Sequence, residues 1–433
     1  MASGITATQK SNAGGQSSET VTPGQYYGLP GLTQFFELND TQQAVAVTFS
    51  QTSNTYVNTL SQLTQDNIVF WWEIDVAVAQ TYTAGTGGAT FSPYFPWSYI
   101  NSLQLALQSM YTNVNVDDGI DLYIFDVIRP MRGFRDSGGN DGVNAAEKIY
   151  AAGPPATGNP YNGTANTNYF ATPVTGAASS MTALNFYVTL PGSLFIDEYW
   201  DMDMSGNLLA DVAVPATVSP QYMAGAARQV QPKLTIAASS VADLSTGPAN
   251  LTGNATLTGS LTFSVRRVGL YATENPATDP PVYAWQYQRI SKSYPLIGSP
   301  VTVKLDEYAQ ILALFFRFWD PTLNGAVGGP VPLTNIARIQ LQYGGSLYRF
   351  DDFVRTTQRR FYQQHRSLLP AGVLAWDLGL DPDQSGKVTN AYALNTLVTA
   401  SPVVTISWIS GYTPGAGSKV VVGYEELKYV IPQ

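Results

Sequence analysis

Pro96-Trp97-Ser98-Tyr99-Ile100-Asn101-Ser102-Leu103-Gln104-Leu105 aligns without a gap on Pro332-Leu333-Thr334-Asn335-Ile336-Ala337-Arg338-Ile339-Gln340-Leu341. Pro, Ile, Gln and Leu coincide, and the Ser/Thr and Leu/Ile exchanges are conservative. Two further echoes keep the same order. Leu122-Tyr123-Ile124-Phe125-Asp126 matches Leu347-Tyr348-Arg349-Phe350-Asp351, each followed closely by an arginine, Arg129 or Arg355. Upstream stands an aromatic segment, Phe70-Trp71-Trp72 in one half and Phe315-Phe316-Arg317-Phe318-Trp319 in the other. Internal repeats are units of architecture, so three matches in one order imply a duplicated domain.

The repeated unit reads as β-structure. In Ile68–Val78, Ile68, Phe70, Trp72, Ile74, Val76 and Val78 fall on one side and Glu73 and Asp75 on the other, the period of two of a half-buried strand. Further strands are expected at Leu103–Leu107, Ile120–Val127, Ala183–Leu190 and Ser260–Tyr271. In the second half they are expected at Ile311–Trp319, Ile336–Tyr343, Val373–Leu378, Val403–Trp408 and Lys419–Val430. One helix is expected in the second half, capped by Asp351 or Asp352, with Phe353, Val354, Thr357 and Phe361 inward and Leu368-Leu369-Pro370 as its end. Each half then holds about eight strands, and eight antiparallel strands in two facing sheets make a jelly roll. The expected fold is all-β: two tandem eight-stranded jelly-roll barrels with long loops and a short helix in the second.

The boundaries follow composition. Residues 1–34 carry only Lys10 and Glu19 as charges and read as a flexible arm. The first jelly roll takes 35–272, with Gly- and Pro-rich loop inserts at 133–180 and 204–256. Residues 273–284 hold Pro276, Pro280 and Pro281 and form a stiff linker, and 285–433 are the second jelly roll.

A chain of 433 residues exceeds one ordinary core, which agrees with two domains. Charged residues are 12%, about half the ~25% typical share, and the difference is made up by Gly, Pro, Tyr and small polar residues. Such a surface suits large protein contacts, where Tyr is enriched and Lys and Glu are depleted. A net charge of −9 argues against nucleic-acid binding through a basic surface. Without cysteine there is no disulfide framework and no thiolate metal site. The N-terminus lacks the pattern of a signal peptide and no apolar run spans a bilayer, so a soluble product made in the host cytoplasm is expected.

The residues resemble a known family, the double jelly-roll major capsid proteins of tectivirus-like bacteriophages and the adenovirus hexon lineage. The likeness rests on Ser92-Pro93-Tyr94-Phe95-Pro96-Trp97-Ser98-Tyr99-Ile100 leading into Ser102-Leu103-Gln104-Leu105, on Asp118-Gly119 leading into what reads as a strand, on the Arg-bearing helix followed by Leu369-Pro370-Ala371-Gly372-Val373-Leu374-Ala375-Trp376-Asp377, and on the closing strand Val420–Leu427. It covers roughly residues 60–433. It implies a virion shell protein forming pseudo-hexagonal homotrimers in an icosahedral capsid, in contact with neighbouring capsomers, with minor and vertex proteins, and with an internal membrane where one is present. It implies no catalysis, no cofactor, no metal and no sequence-specific nucleic-acid binding. The alternative is a carbohydrate- or receptor-binding β-sandwich, fibre- or lectin-like, in which Tyr and Trp would stack on sugars; a glycan-active enzyme stands third.

The chemistry-bearing residues point the same way. The single histidine, His365, lacks visible catalytic partners, reads as a surface or packing residue, and its loss is expected to leave assembly nearly intact. Asp117-Asp118-Gly119-Ile120-Asp121 and Asp381-Pro382-Asp383-Gln384-Ser385-Gly386 resemble calcium loops, but in the second Tyr392 stands where a bidentate Glu belongs, and turns are the better reading. Gly411–Lys419 misses the phosphate-loop spacing and reads as a hairpin loop. Arg355, Arg359, Arg360 and Arg366 make a basic helix face, either solvated or paired with a neighbour's carboxylates or lipid phosphate. Asn39, Asn162, Asn250 and Asn254 lie in glycosylation sequons, which carry no meaning in a bacterial host.

Overall fold

The computed structural model describes residues 32–39, 45–49, 55–60, 67–83, 89–92, 94, 97–107, 111–128, 184–191, 232–238, 249–251, 256–272, 285–307, 309–326, 328–343, 347–365, 369–379, 393–396 and 402–429, with isolated pairs at 7–8, 20–21, 149–150, 194–195 and 217–218. Asp381–Gly386, Tyr392, Arg366, the linker 273–284, nearly all of 133–180 and most of the arm lie outside them.

The first half holds β1 (Leu32–Asn39), β2 (Val45–Phe49), β3 (Thr55–Thr59), β4 (Asn67–Thr83), β5 (Ile100–Leu107), β6 (Tyr111–Val116), the helix α1 (Gly119–Ile128), β7 (Leu184–Pro191), β8 (Pro232–Ala238) and β9 (Thr256–Ala272). The second holds β10 (Trp285–Pro295), β11 (Val301–Lys304), β12 (Ala309–Asp320), β13 (Ile336–Tyr343), β14 (Leu347–Phe353), α2 (Val354–His365), β15 (Val373–Asp377), β16 (Val403–Trp408) and β17 (Lys419–Tyr429). β1 and β2 pair in turn along β9 and act as one broken strand. The sheets of the first half run β1-β9-β4-β7 and β3-β8-β5-β6; those of the second run β10-β17-β12-β15 and β11-β16-β13-β14. Numbered one to eight in each half, both orders are 1-8-3-6 and 2-7-4-5. That shared order is a pair of jelly rolls.

The opening repeat holds at the level of single residues. The 3-10 turns Trp97–Tyr99 and Leu333–Asn335 and the strands Ile100–Leu107 and Ile336–Tyr343 occupy the same positions of that gap-free alignment. The second echo is out of register. Leu122–Asp126 lies in α1, whereas Leu347–Asp351 lies in β14, whose counterpart is β6. The strand expected at Ile120–Val127 is therefore a helix, and each jelly roll, not only the second, carries one. Every residue of α1 is buried, so no polar face marks its period. Asp351 and Asp352 lie inside β14 and do not cap α2, and Phe353 is 69% exposed, while Val354, Thr357 and Phe361 are inward as expected. Within the insert placed at 204–256, Pro232–Ala238 forms a strand paired on both sides. Within the arm, Ala7–Thr8 pairs with Thr20–Val21, and β1 begins at Leu32.

Side-chain alternation explains the layers. On β4, Trp72, Ile74, Val76 and Val78 are buried in the first core, each contributing about 1.5–3 kcal/mol by leaving water. β12 is apolar at nearly every position because both of its faces are covered. Leu314, Phe316 and Phe318 fill the second core, while Ala313, Phe315 and Trp319 point the other way and join the first core.

Candidate functional site

The feature that joins the halves is a buried junction between α1 and the outward face of β10-β17-β12. β6 and β10 pair in parallel, Arg289 opposite Val114, so one sheet runs through both jelly rolls. The backbone N–H of Asp117 donates to Ser291 Oγ at 2.9 Å. Below this seam α1 lays Phe125 edge-on against Phe315, ring centroids 4.9 Å apart. Gly423, next to Phe315 across the β12–β17 ladder, leaves the space that ring fills, since an added Cβ would collide with it.

Charges complete the junction. Arg317, 1% exposed, donates from Nε to Asp121 Oδ1 at 2.9 Å and lies 3.3 Å from Asp118 Oδ2. Arg289, fully buried, meets Asp126 at 2.9 Å and Glu425 at 3.4 Å, with its guanidinium 5.5 Å from the centre of the Phe125 ring. Tyr94, arriving from the first half, donates its hydroxyl to the Ala371 carbonyl at 3.0 Å and lays its ring 5.4 Å from the Arg317 guanidinium. Burial pushes the Asp118 carboxyl up to about 7; the pull of Arg317 is smaller than that desolvation, and the charge of Asp121 adds to the rise. Partial desolvation and the charge of Asp121 likewise raise Asp117, which is exposed at the rim of the junction. Burial also works against the charge of Arg317, but Asp121 and Asp118 more than offset it, so its affinity for the proton is raised. Breaking such pairs costs far more than removing them whole, so they act as a registry device between the jelly rolls.

Asp117–Asp121 is thus no calcium loop. Asp118 accepts the N–H of Ile120 at 3.5 Å and opens α1, and both Asp118 and Asp121 face an arginine. Gly119 follows because an added Cβ would lie 2.5 Å from the Trp97 carbonyl oxygen and 2.8 Å from Ile100 Cβ. The Asp118-Gly119 step therefore leads into a helix, where the resemblance had suggested a strand.

His365 is a packing residue, 2% exposed. It stacks on Phe361 with centroids 4.3 Å apart, and its Nε2 lies 3.3 Å from Asp377 Oδ2. Gly411–Lys419 is not a hairpin loop, because β16 and β17 belong to different sheets. It crosses between them and is held by Asp320, which accepts from Thr322 Oγ1 at 2.6 Å, Tyr412 Oη at 3.1 Å and the Gly415 N–H at 3.1 Å. Burial disfavours the Asp320 charge, but these hydrogen bonds outweigh it and hold the carboxyl below the usual range. Arg355 and Arg359 are exposed on α2, and Arg360 is half-buried. Asn39 and Asn250 lie in strands, and Asn162 and Asn254 fall outside the described residues. Among the described residues no helix is long and apolar enough to cross a membrane, and no group of three potential metal ligands forms.

Sequence reading missed the junction, although one signal for it exists. Arg317 interrupts the otherwise apolar run Leu314–Trp319, and a cation there requires a buried carboxylate partner.

Two jelly rolls of one strand order, joined edge to edge through such a junction, define the double jelly-roll fold. The STIV MCP crystal structure shares it, with a TM-score of 0.54 at 10% identity over 92% of this chain and 97% of that one. The atomic structure of Sulfolobus Turreted Icosahedral Virus contains a chain matching at a TM-score of 0.51 and 12% identity, over 92% of this chain and 91% of that one. At these identities the likeness is one of fold. No protein-family model and no curated protein matches the sequence.

Proposed function

We propose that this chain is a virus major capsid protein that works by self-assembly and not by turnover. The observation that carries this reading is the double jelly roll itself, which a chain from an icosahedral virus shares along nearly its whole length. The buried junction supports it, since a rigid two-barrel block is what a lattice repeats. So does the histidine, which is committed to packing.

In this reading three chains form a pseudo-hexagonal capsomer, which meets neighbouring capsomers and minor and vertex proteins in the virion. The chain divides into an arm ahead of β1, a first barrel from Leu32 to residue 272, a linker 273–284 and a second barrel from 285. The arm, with one lysine and one glutamate, cannot release counterions from packaged nucleic acid and instead adapts contacts on the inner face. Native mass spectrometry of the purified chain tests this. A species of three times the 46.7 kDa chain mass is expected, and a monomer at all concentrations that binds a glycan array would overturn it.

A further inference from the structure

The seam between the jelly rolls is thin along the backbone. Among the described residues β6 and β10 pair only at Val114–Arg289 and Asn115–Ile290. Asp117, just beyond, adds its bond to Ser291 Oγ, and Asp118 is the next residue. From there on α1 is held by side chains: Phe125 on Phe315 and the carboxylates that meet the two arginines.

The charges do not balance at Arg317. Asp118 and Asp121, 8% and 0% exposed at the side chain, share one buried guanidinium. At the rim, exposed Asp117 and half-buried Lys419 of β17 are opposite in sign and offset one another. β5, β6, β7 and the turn Trp97–Tyr99, which also pack around α1, contain no charged residue. Arg289 of β10 is engaged two turns farther along the helix by Asp126 and Glu425. Tyr94 brings only its ring to Arg317 and gives its hydroxyl to Ala371. With both carboxyls ionised the buried set has one negative charge too many, and a buried group in that position is relieved by taking up a proton.

The geometry puts that proton on Asp118. Arg317 Nε donates to Asp121 at 2.9 Å, whereas Asp118 stands off at 3.3 Å and accepts the Ile120 N–H only at 3.5 Å. Asp118 is also the more exposed of the two, so water can deliver the proton and remove it. Asp121 Oδ2 is buried and no hydrogen bond reaches it among the described residues, so it gains directly when the neighbouring charge is neutralised. The rise of Asp118 to about 7 agrees with this count of charges.

We propose that Asp118 is a proton-operated latch between the jelly rolls: protonated, it closes α1 against the sheet of the second jelly roll, and ionised, it loosens the thin seam beside it. The sense follows from linkage. A carboxyl that binds its proton more tightly in the closed form stabilises that form in acid, and the stabilisation is lost as pH rises through neutrality. The latch is a property of the single chain and does not depend on the assembly reading. In a shell built from this chain it makes alkali the loosening condition.

Hydrogen–deuterium exchange of the full chain, read by mass spectrometry at pH 6 and pH 8 and corrected for the intrinsic rate, tests it. Peptides covering α1 and the β6–β10 seam are expected to open about tenfold more at pH 8. That ratio is set by a carboxyl titrating at about 7 when closed and about 3.9 when open. At either pH the seam should open more readily than β4 in the first core. Asp118→Asn, neutral at both pH values, should protect the seam at pH 8 as well as the wild type does at pH 6. Lys419→Met withdraws the rim cation that opposes protonation and should carry the midpoint of the response to higher pH. Equal seam protection at pH 6 and pH 8 in the wild type, or a tenfold response that persists in Asp118→Asn, overturns the latch. So does a midpoint moved to lower pH in Lys419→Met, or a seam that opens only together with β4.

Discussion

Replacing Arg317 with Met is the sharpest probe of the junction. The methionine fills most of the guanidinium's stem volume and keeps the apolar contacts with the Tyr94 ring, so the change is chiefly one of charge. It leaves Asp118 and Asp121, 8% and 0% exposed at the side chain, beside each other without the guanidinium that pairs them. Removing one partner of a buried pair costs about 3–5 kcal/mol, and that loss is expected at pH 8. The pH dependence has a definite sign. The Asp118 carboxyl is raised in the folded protein by burial, and losing the opposing pull of Arg317 raises it further above its unfolded value of about 3.9, so the folded state favours its protonated form. Stability is then regained as pH falls, and the deficit should shrink between pH 8 and pH 5. Urea unfolding followed by tryptophan fluorescence reads this directly, since Trp319 lies 5.9 Å from Tyr94 in the junction. Adding Asp118→Asn and Asp121→Asn should restore most of the loss, because a neutral set has no stranded charge. A single Arg317→Met variant within about 1 kcal/mol of wild type at pH 8, or one whose deficit is the same at pH 5, would refute the reasoning.

Other outcomes follow from single residues. Asp118, pushed up to about 7, contributes stability that is fully present below pH 4 and lost as pH rises through 7; Asp118→Asn should flatten that part of the pH–stability curve, whose slope is at most about 1.4 kcal/mol per pH unit. Gly119→Ala should destabilise by about 1–3 kcal/mol or more, measured by urea midpoint, because the new methyl meets the Trp97 carbonyl, which cannot yield without moving the turn. His365→Ala should cost about 2–4 kcal/mol in the same assay by opening a cavity beside Phe361 and stripping Asp377 of its neighbour, while assembly of the folded chain stays nearly intact.

The alternation in Ile68–Val78 and the alignment of Pro96 on Pro332 carried the fold, because a half-buried strand writes its two faces into the residue order and a duplicated turn keeps its proline and register. α1 was illegible for the opposite reason. With both jelly rolls closing over it, Leu122, Tyr123, Ile124 and Phe125 lost the polar face that reveals a helix, and their composition favours strands. Continuing the gap-free alignment would have placed 119–128 against the Arg-bearing helix and exposed the error. β3 and β8 are short and Thr- or Ala-containing, and their place is fixed by neighbours distant in sequence, Tyr56 opposite Ile236. The junction was legible only as a question, an arginine within an apolar strand, because its answers Asp118 and Asp121 come from the other half of the chain.

The most direct test of the central claim is cryo-electron microscopy of particles assembled from this chain. The expected result is a closed icosahedral shell of pseudo-hexagonal capsomers, three chains each. Particles whose shell is built from another protein, with this chain absent or confined to a few projecting copies, would contradict it.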